Sequence, residues 1–183
     1  MFGYCGGLSP HKGVHILVSA FRSLKASDVE LRIYGSAAAH ETDYERGLRN
    51  RARRDPRIRF YGTFPHEQLS KILSELDVVV IPSLVYETYS LILHEARAFN
   101  VPVIASGLGA LADPRANLSF TAGSESELTE KLKLVIESPA LLDDLSKQAA
   151  KIDFSLEEEE AWAYELIYAA ARNAGRSPVV DCS

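Results

Sequence analysis

Cysteine is nearly absent. The chain holds two, Cys5 in its first apolar segment and Cys182 one residue from its end, which give no disulfide framework and fit a reducing cytosol. Lacking too is any apolar run of the ~18 residues that suggest a membrane span, and nothing resembles a secretory leader. The expectation is a soluble, cytoplasmic protein. Positive charge is not in excess: 20 Lys and Arg stand against 25 Asp and Glu, a formal net charge of −5 that argues against nucleic acid as a partner. The one basic cluster, RARR at Arg51 to Arg54, reads as a solvated helix end, where cations suit the dipole. His11, His15, His40, His66 and His94 are scattered without ligand spacing, so no metal is expected. Repeats, low-complexity stretches and linkers are missing as well, which leaves one domain rather than several.

What is present alternates. Of the 183 residues 46% are apolar and 25% charged, the composition of a globular domain large enough to bury a core. FGYC and a glycine turn lead into KGVHILVSAFRSLKA, where Val14, Leu17, Val18, Phe21 and Leu24 recur at helical spacing. VELRIYG reads as a second strand, a polar helix follows over Glu41 to Arg53, and RIRFYG is a third strand ending at Gly62. PHEQLSKILSEL reads as a helix started by Pro65, DVVVIPS as a fourth strand, 88–98 as a helix stopped near Asn100 and Pro102, and VPVIAS as a fifth strand. LSFTA is a short sixth strand. SESELTEKLKLVIES is a helix capped by Ser124, with Glu127 completing a capping box. Two more helices fit Pro139 to Lys151 and Leu156 to Asn173, the second opening on an acidic run, Glu157 to Glu160, that suits its first turn. Such alternation implies right-handed βαβ units: an α/β, Rossmann-like parallel sheet with helices on both faces over residues 1–174, followed by a flexible tail over 175–183.

The segment from Pro82 to Glu95, PSLVYETYSLILHE, joins the buried DVVVIPS strand to a helix and carries two carboxylates eight residues apart. If Thr88 starts the helix, Glu87 lies at its mouth and Glu95 about 12 Å along the axis, within ~80° of one face. A sugar, a diphosphate and a ribose in a row need contacts over about that length, with phosphate at the helix N-terminus. Ligands of open α/β sheets bind at such strand ends. The pair therefore reads as a nucleotide-sugar site, against the alternative of two solvated surface charges. Gly6, Gly7 and Lys12, in GGLSPHKG, add a turn that lets backbone approach a ligand and a point charge for a diphosphate.

Four segments, CGGLSPHKG, LRIYG, DVVVIPS with ETYSLILHEA, and VPVIAS with GALAD, together resemble the C-terminal, donor-binding domain of GT-B glycosyltransferases. The likeness is to the large retaining group called family 4 or group 1, over about residues 2 to 170. It implies that Glu87 contacts the sugar and stabilises positive charge developing near its anomeric carbon, and that Glu95 accepts hydrogen bonds from two ribose hydroxyls. N–H groups of Thr88, Tyr89, Ser90 and Leu91 would meet phosphates or sugar hydroxyls. It also implies catalysis without a bound divalent cation, the nucleotide-sugar being a substrate and no cofactor being needed. Three departures stand out. Gly7 replaces an arginine usual in relatives, removing a bidentate donor worth roughly 1.5–3 kcal/mol, so weaker donor binding or lost activity is expected. Ser90 stands where many relatives have glycine. Ala110 replaces the second glycine of the turn before Asp113.

Met1 precedes the first strand by one residue, so the expectation is the donor half of an enzyme whose N-terminal acceptor domain, or a partner polypeptide supplying it, is missing. It would bind UDP- or GDP-linked sugar and transfer little alone. The last helix, with Trp162, Tyr164 and Tyr168, would offer that domain an apolar surface. Relatives acting on lipid-linked acceptors leave peripheral membrane association open, although no basic amphipathic segment argues for it. The alternatives are a non-catalytic interaction module and, from another class, a sugar-nucleotide epimerase.

Overall fold

The computed structural model describes residues 1–112 and 118–149. The helix expected over 156–173, the tail from Gly175, Asp113 and Cys182 lie outside those residues, as does the expected domain boundary after residue 174.

Six short parallel strands form one sheet: β1 (Phe2–Cys5), β2 (Leu31–Tyr34), β3 (Ile58–Gly62), β4 (Val78–Ile81), β5 (Val103–Ser106) and β6 (Leu118–Phe120). Their order is β3-β2-β1-β4-β5-β6. The chain first builds outward from β1 through β2 to β3, then returns to the other side of β1 with β4. Connections leave β1 and β4 in opposite directions, which opens a crevice at the carboxyl ends of those two strands.

Burial on both faces follows from the strand period of two. In β4, Val78 and Val80 join the core on one side of the sheet while Val79 and Ile81 join the other. The first core receives Leu17, Val18 and Phe21 of α1 (Val14–Arg22), Leu48 of α2 (Thr42–Ala52), and Leu128 and Leu132 of α5 (Glu125–Glu137). The second receives Leu69 and Leu73 of α3 (Leu69–Ser74) with Leu93 and Ala96 of α4 (Leu91–Ala98). All five residues expected on the buried face of the first helix are buried, Leu24 from just beyond its end. A sixth helix, α6, spans Pro139–Ala149.

Two boundaries and one cap differ from expectation. The helix expected at 88 begins at Leu91 because Glu87 is extended: it forms a parallel β-bridge with Gly109, and its carbonyl accepts the Ala110 N–H at 2.7 Å. These backbone bonds hold 87–90 out of the helix. Pro65 is extended and precedes a 3-10 turn over His66–Gln68, leaving α3 with only six residues. The capping box is half formed. Ser124 Oγ accepts the Glu127 N–H at 3.3 Å, but the Glu127 carboxylate turns to the Thr121 N–H at 2.8 Å, and the Ser124 N–H donates to the Thr121 carbonyl.

Below the sheet's amino edge, Arg57 ties the α1–β2 connection down. Its guanidinium donates to the Leu24 and Ala26 carbonyls and grips both Asp55 oxygens, at 2.9 and 2.7 Å. Hydrogen bonds from Arg57, which outweigh the opposing effect of burial, hold the Asp55 carboxyl below its ordinary value.

Candidate functional site

A cleft of about 590 Å³ opens at the carboxyl ends of β1 and β4. Its size suits a small ligand. Two of the close backbone approaches around it fix Lys12 and Glu87. Gly13 has φ +69°, and a Cβ there would fall 1.9 Å from the Pro82 carbonyl oxygen, so only glycine lets the Lys12 turn press against the end of β4. The Leu84 N–H completes that seam by donating to the His11 carbonyl at 2.8 Å. Gly109 has φ +58° and would place a Cβ 2.2 Å from the Glu87 carbonyl oxygen, which lets the loop after β5 carry the bridge that fixes Glu87. One glycine suffices for this turn. Ala110 follows within a 3-10 helix, Ala110–Ala112, so its departure from the family pattern leaves the contact to Glu87 in place.

Glu87 is held in the cleft by two side-chain donors. Its Oε1 accepts from Lys12 Nζ at 2.7 Å and from Ser83 Oγ at 2.9 Å. Partial burial raises its pKa, but the Lys12 and Ser83 hydrogen bonds, with the Lys12 charge behind them, outweigh that and hold the carboxyl below its ordinary range. It is a carboxylate at neutral pH, suited to accepting hydroxyl hydrogens or facing a developing cation. Across the cleft Glu95, the fifth residue of α4, lies just over one turn from its start, with His66 Nδ1 3.7 Å away. Beneath it burial, aided by the nearby Glu95 charge, pushes the Cys5 thiol up to about 12, which removes Cys5 as a nucleophile.

Gly6, Gly7, Lys12, Glu87, Tyr89, Ser90, Leu91 and Glu95 all line this one cleft. Thr88 is exposed and is not among the lining residues; its N–H, the expected contact, precedes the helix, which starts at Leu91. The helix-end donors shift likewise. Ser90 is the N-cap, and its carbonyl already accepts the Leu93 and His94 N–H groups, so the first-turn donors facing the cleft are those of Leu91 and Ile92. Leu91, expected in an apolar helix, is largely exposed. His94 stacks on the Tyr89 ring, centroids 4.4 Å apart, as a packing residue would. Tyr4 donates to the Gly7 carbonyl at 2.7 Å, yet a Cβ on Gly7 would meet nothing within 4 Å. The space for a larger side chain is there.

At the other helix end near the cleft one first-turn donor is already paired. Tyr44 Oη accepts the His15 N–H in the first turn of α1, at 3.2 Å, and pairs with His15 Nδ1 at 2.9 Å. Among the described residues no three His, Cys, Asp or Glu side chains converge as a metal site, and no helix is long and apolar enough to cross a membrane.

Sequence reasoning missed Ser83, Thr63, Phe64 and His66 in the lining. Ser83 carried a usable signal, its place just past a strand's carboxyl end. The other three come from the β3–α3 connection, which reaches the cleft only because of the strand order.

The model of the family described as glycosyl transferases group 1 matches residues 1–138. The chain belongs to the group 1 glycosyltransferases. It is 27% identical over 184 residues to a glycogen synthase of Mycobacterium tuberculosis, covering 96% of this chain and 44% of that protein. To a D-inositol 3-phosphate glycosyltransferase of Corynebacterium efficiens it is 33% identical over 116 residues, covering 59% of this chain and 27% of the relative. This group 1 chain therefore spans less than half the length of these curated relatives. Among solved structures it resembles the Anabaena protein HepE in complex with UDP, with TM-score 0.83 and 24% identity over 92% of this chain and 48% of that one. It also resembles the C-terminal domain of the group 1 protein LpcC of Francisella tularensis, with TM-score 0.74 and 23% identity, covering 81% and 80% of the two. The fold is that of the C-terminal half of a GT-B glycosyltransferase.

Proposed function

We propose that this domain is the donor-binding half of a retaining glycosyltransferase, taking a UDP- or GDP-linked sugar in the β1/β4 cleft. The observation that carries the reading is the convergence of Lys12, Glu87 and Glu95 on one cleft, with the first-turn N–H groups of α4 between the two carboxylates. In this reading the diphosphate meets Lys12 and the N–H groups of Leu91 and Ile92, where the helix dipole favours negative charge. Glu95 accepts hydrogen bonds from the ribose hydroxyls, and Glu87 faces the sugar. As the bond from the anomeric carbon to the diphosphate breaks, positive charge grows on the sugar ring and negative charge on the leaving oxygen. The Glu87 carboxylate opposes the first, while Lys12 and the helix end oppose the second. In this reading Lys12, Glu87 and the helix end meet the developing charges without a metal.

UDP is favoured over GDP as the first ligand to test because HepE was solved with UDP and with UDP-glucose. Since the relatives are about twice as long, the acceptor belongs to another domain or partner polypeptide, and we assign transfer to the assembly and binding to this chain. A non-catalytic module would need no anchored Glu87, and a dinucleotide-type site would use the α1 N-terminus, where Tyr44 already pairs with the His15 N–H. Calorimetric titration of UDP and GDP with their glucose and mannose conjugates tests the reading. Binding of a conjugate more tightly than its nucleotide is expected. Absence of binding at millimolar concentration overturns it.

A further inference from the structure

We infer that the buried hydroxyl of Ser83 is a positioning residue that fixes Glu87 in the donor-bound state, holding Oε1 so that Oε2 faces the sugar. The inference rests on the donor-site reading above and adds a residue to it.

The geometry is asymmetric. Both side-chain donors to Glu87, Lys12 and Ser83, converge on Oε1, and among the described residues Oε2 accepts no hydrogen bond. Oε1 is the anchored oxygen and Oε2 the free one. The Glu87 backbone is already fixed by its bridge to Gly109 and the Ala110 N–H, so the remaining freedom lies in the side chain. Ser83 is 1% exposed and moves with the end of β4, whereas Lys12 is a long side chain on a turn. When a diphosphate arrives, Lys12 turns toward it, and Ser83 becomes the remaining anchor of Oε1.

Ser83 has a second acceptor within reach. Its single hydroxyl hydrogen can go to Glu87 Oε1 at 2.9 Å or to the Val85 carbonyl at 3.3 Å. A charged carboxylate wins that competition, because a bond to an ionised acceptor is roughly twice as strong as one to a neutral group. The hydroxyl thus follows the charge on Glu87. A purely structural serine, bonded to Val85 to close the turn, would be indifferent to it.

Two measurements on the intact chain separate the roles. The first is the preference for UDP-glucose over UDP, by calorimetry, in the unmodified protein, Ser83→Ala and Ser83→Thr. Loss of one bond to a charged group lowers that preference about tenfold in Ser83→Ala, and the retained hydroxyl of Ser83→Thr restores most of it. The second needs no ligand: the Glu87 side-chain carboxyl carbon is followed by NMR through acid titration. Its midpoint rises toward the ordinary carboxylate value in Ser83→Ala and stays low in Ser83→Thr. An unmoved Glu87 midpoint, or UDP and UDP-glucose weakening in equal proportion, overturns the positioning role. Failure of the unmodified chain to bind either ligand overturns the donor-site reading instead, and the NMR titration still decides whether Ser83 governs Glu87.

Discussion

Glu87→Gln should tighten the binding of a bare nucleoside diphosphate while weakening the preference for its sugar conjugate. Lys12 Nζ sits 2.7 Å from Glu87 Oε1, so the cation assigned to the diphosphate already has a partner within the chain. Two unit charges 4 Å apart at an effective dielectric of 20 attract by about 4 kcal/mol. Lys12 is 35% exposed, and water screening reduces what such a pair delivers to nearer 1 kcal/mol. Removing the carboxylate charge frees Lys12 and ends repulsion of the phosphates, so UDP should bind about fivefold more tightly. UDP-glucose loses the Glu87 contact to its sugar at the same time, so its advantage over UDP should shrink about tenfold. Calorimetry with both ligands in low and high salt reads this, and the gain for UDP should fade as salt rises. A Glu87→Gln variant that binds UDP no better, or worse, refutes the competition between Glu87 and the diphosphate for Lys12.

Gly7→Arg should improve UDP binding about tenfold by adding a forked cation, since the position is open and its φ admits a side chain; calorimetry that finds no gain contradicts the proposed path of the diphosphate. Gly13→Ala should cost at least about 2 kcal/mol in urea unfolding, because its Cβ collides with the Pro82 carbonyl, whereas Gly7→Ala should stay within about 0.5 kcal/mol. For pH dependence, the folded Asp55 carboxyl lies below its ordinary value of about 3.8, so its contribution to stability is fully present above that value and is lost as pH falls through the folded pKa. Asp55→Asn, which takes the charged acceptor from Arg57, should lower stability at neutral pH by about 1.5–3 kcal/mol and flatten the acid limb of a stability–pH curve. A parallel downward shift of the whole curve would contradict that origin.

The strands were legible because a parallel sheet buried on both faces writes them as apolar runs between glycines and polar breaks: VVVI and VIAS need no partner to be recognised. Helix α1 was legible from its 3.6-residue apolar stripe, α5 from the Ser124 cap that opens it, and α2 as a polar segment between two strands. Position 88 was not, because what keeps Glu87 extended is a bridge to Gly109, a contact 22 residues away that no local propensity encodes. The same holds for the site. Glu87, Glu95 and Lys12 could be named from their place on strand ends and helix starts, but the sharing of one Glu87 oxygen by Lys12 and Ser83 depends on how Gly13 packs on Pro82. Thr88 was expected to offer its N–H from a helix that starts at 88, and the helix starts three residues later, at Leu91. His66 and Phe64 reach the cleft because β3 ends a row that begins at β1, an order that periodicity alone does not specify.

The most direct measurement is calorimetric titration of UDP-glucose and GDP-mannose, with UDP and GDP beside them, into the purified chain and into its Glu95→Ala variant. The account predicts that one nucleotide pair binds selectively and that Glu95→Ala weakens both members of it about tenfold or more, since the ribose hydroxyls lose a charged acceptor. Binding that is equally tight in Glu95→Ala, or no binding to the unmodified chain at millimolar concentration, would contradict a donor site in this cleft.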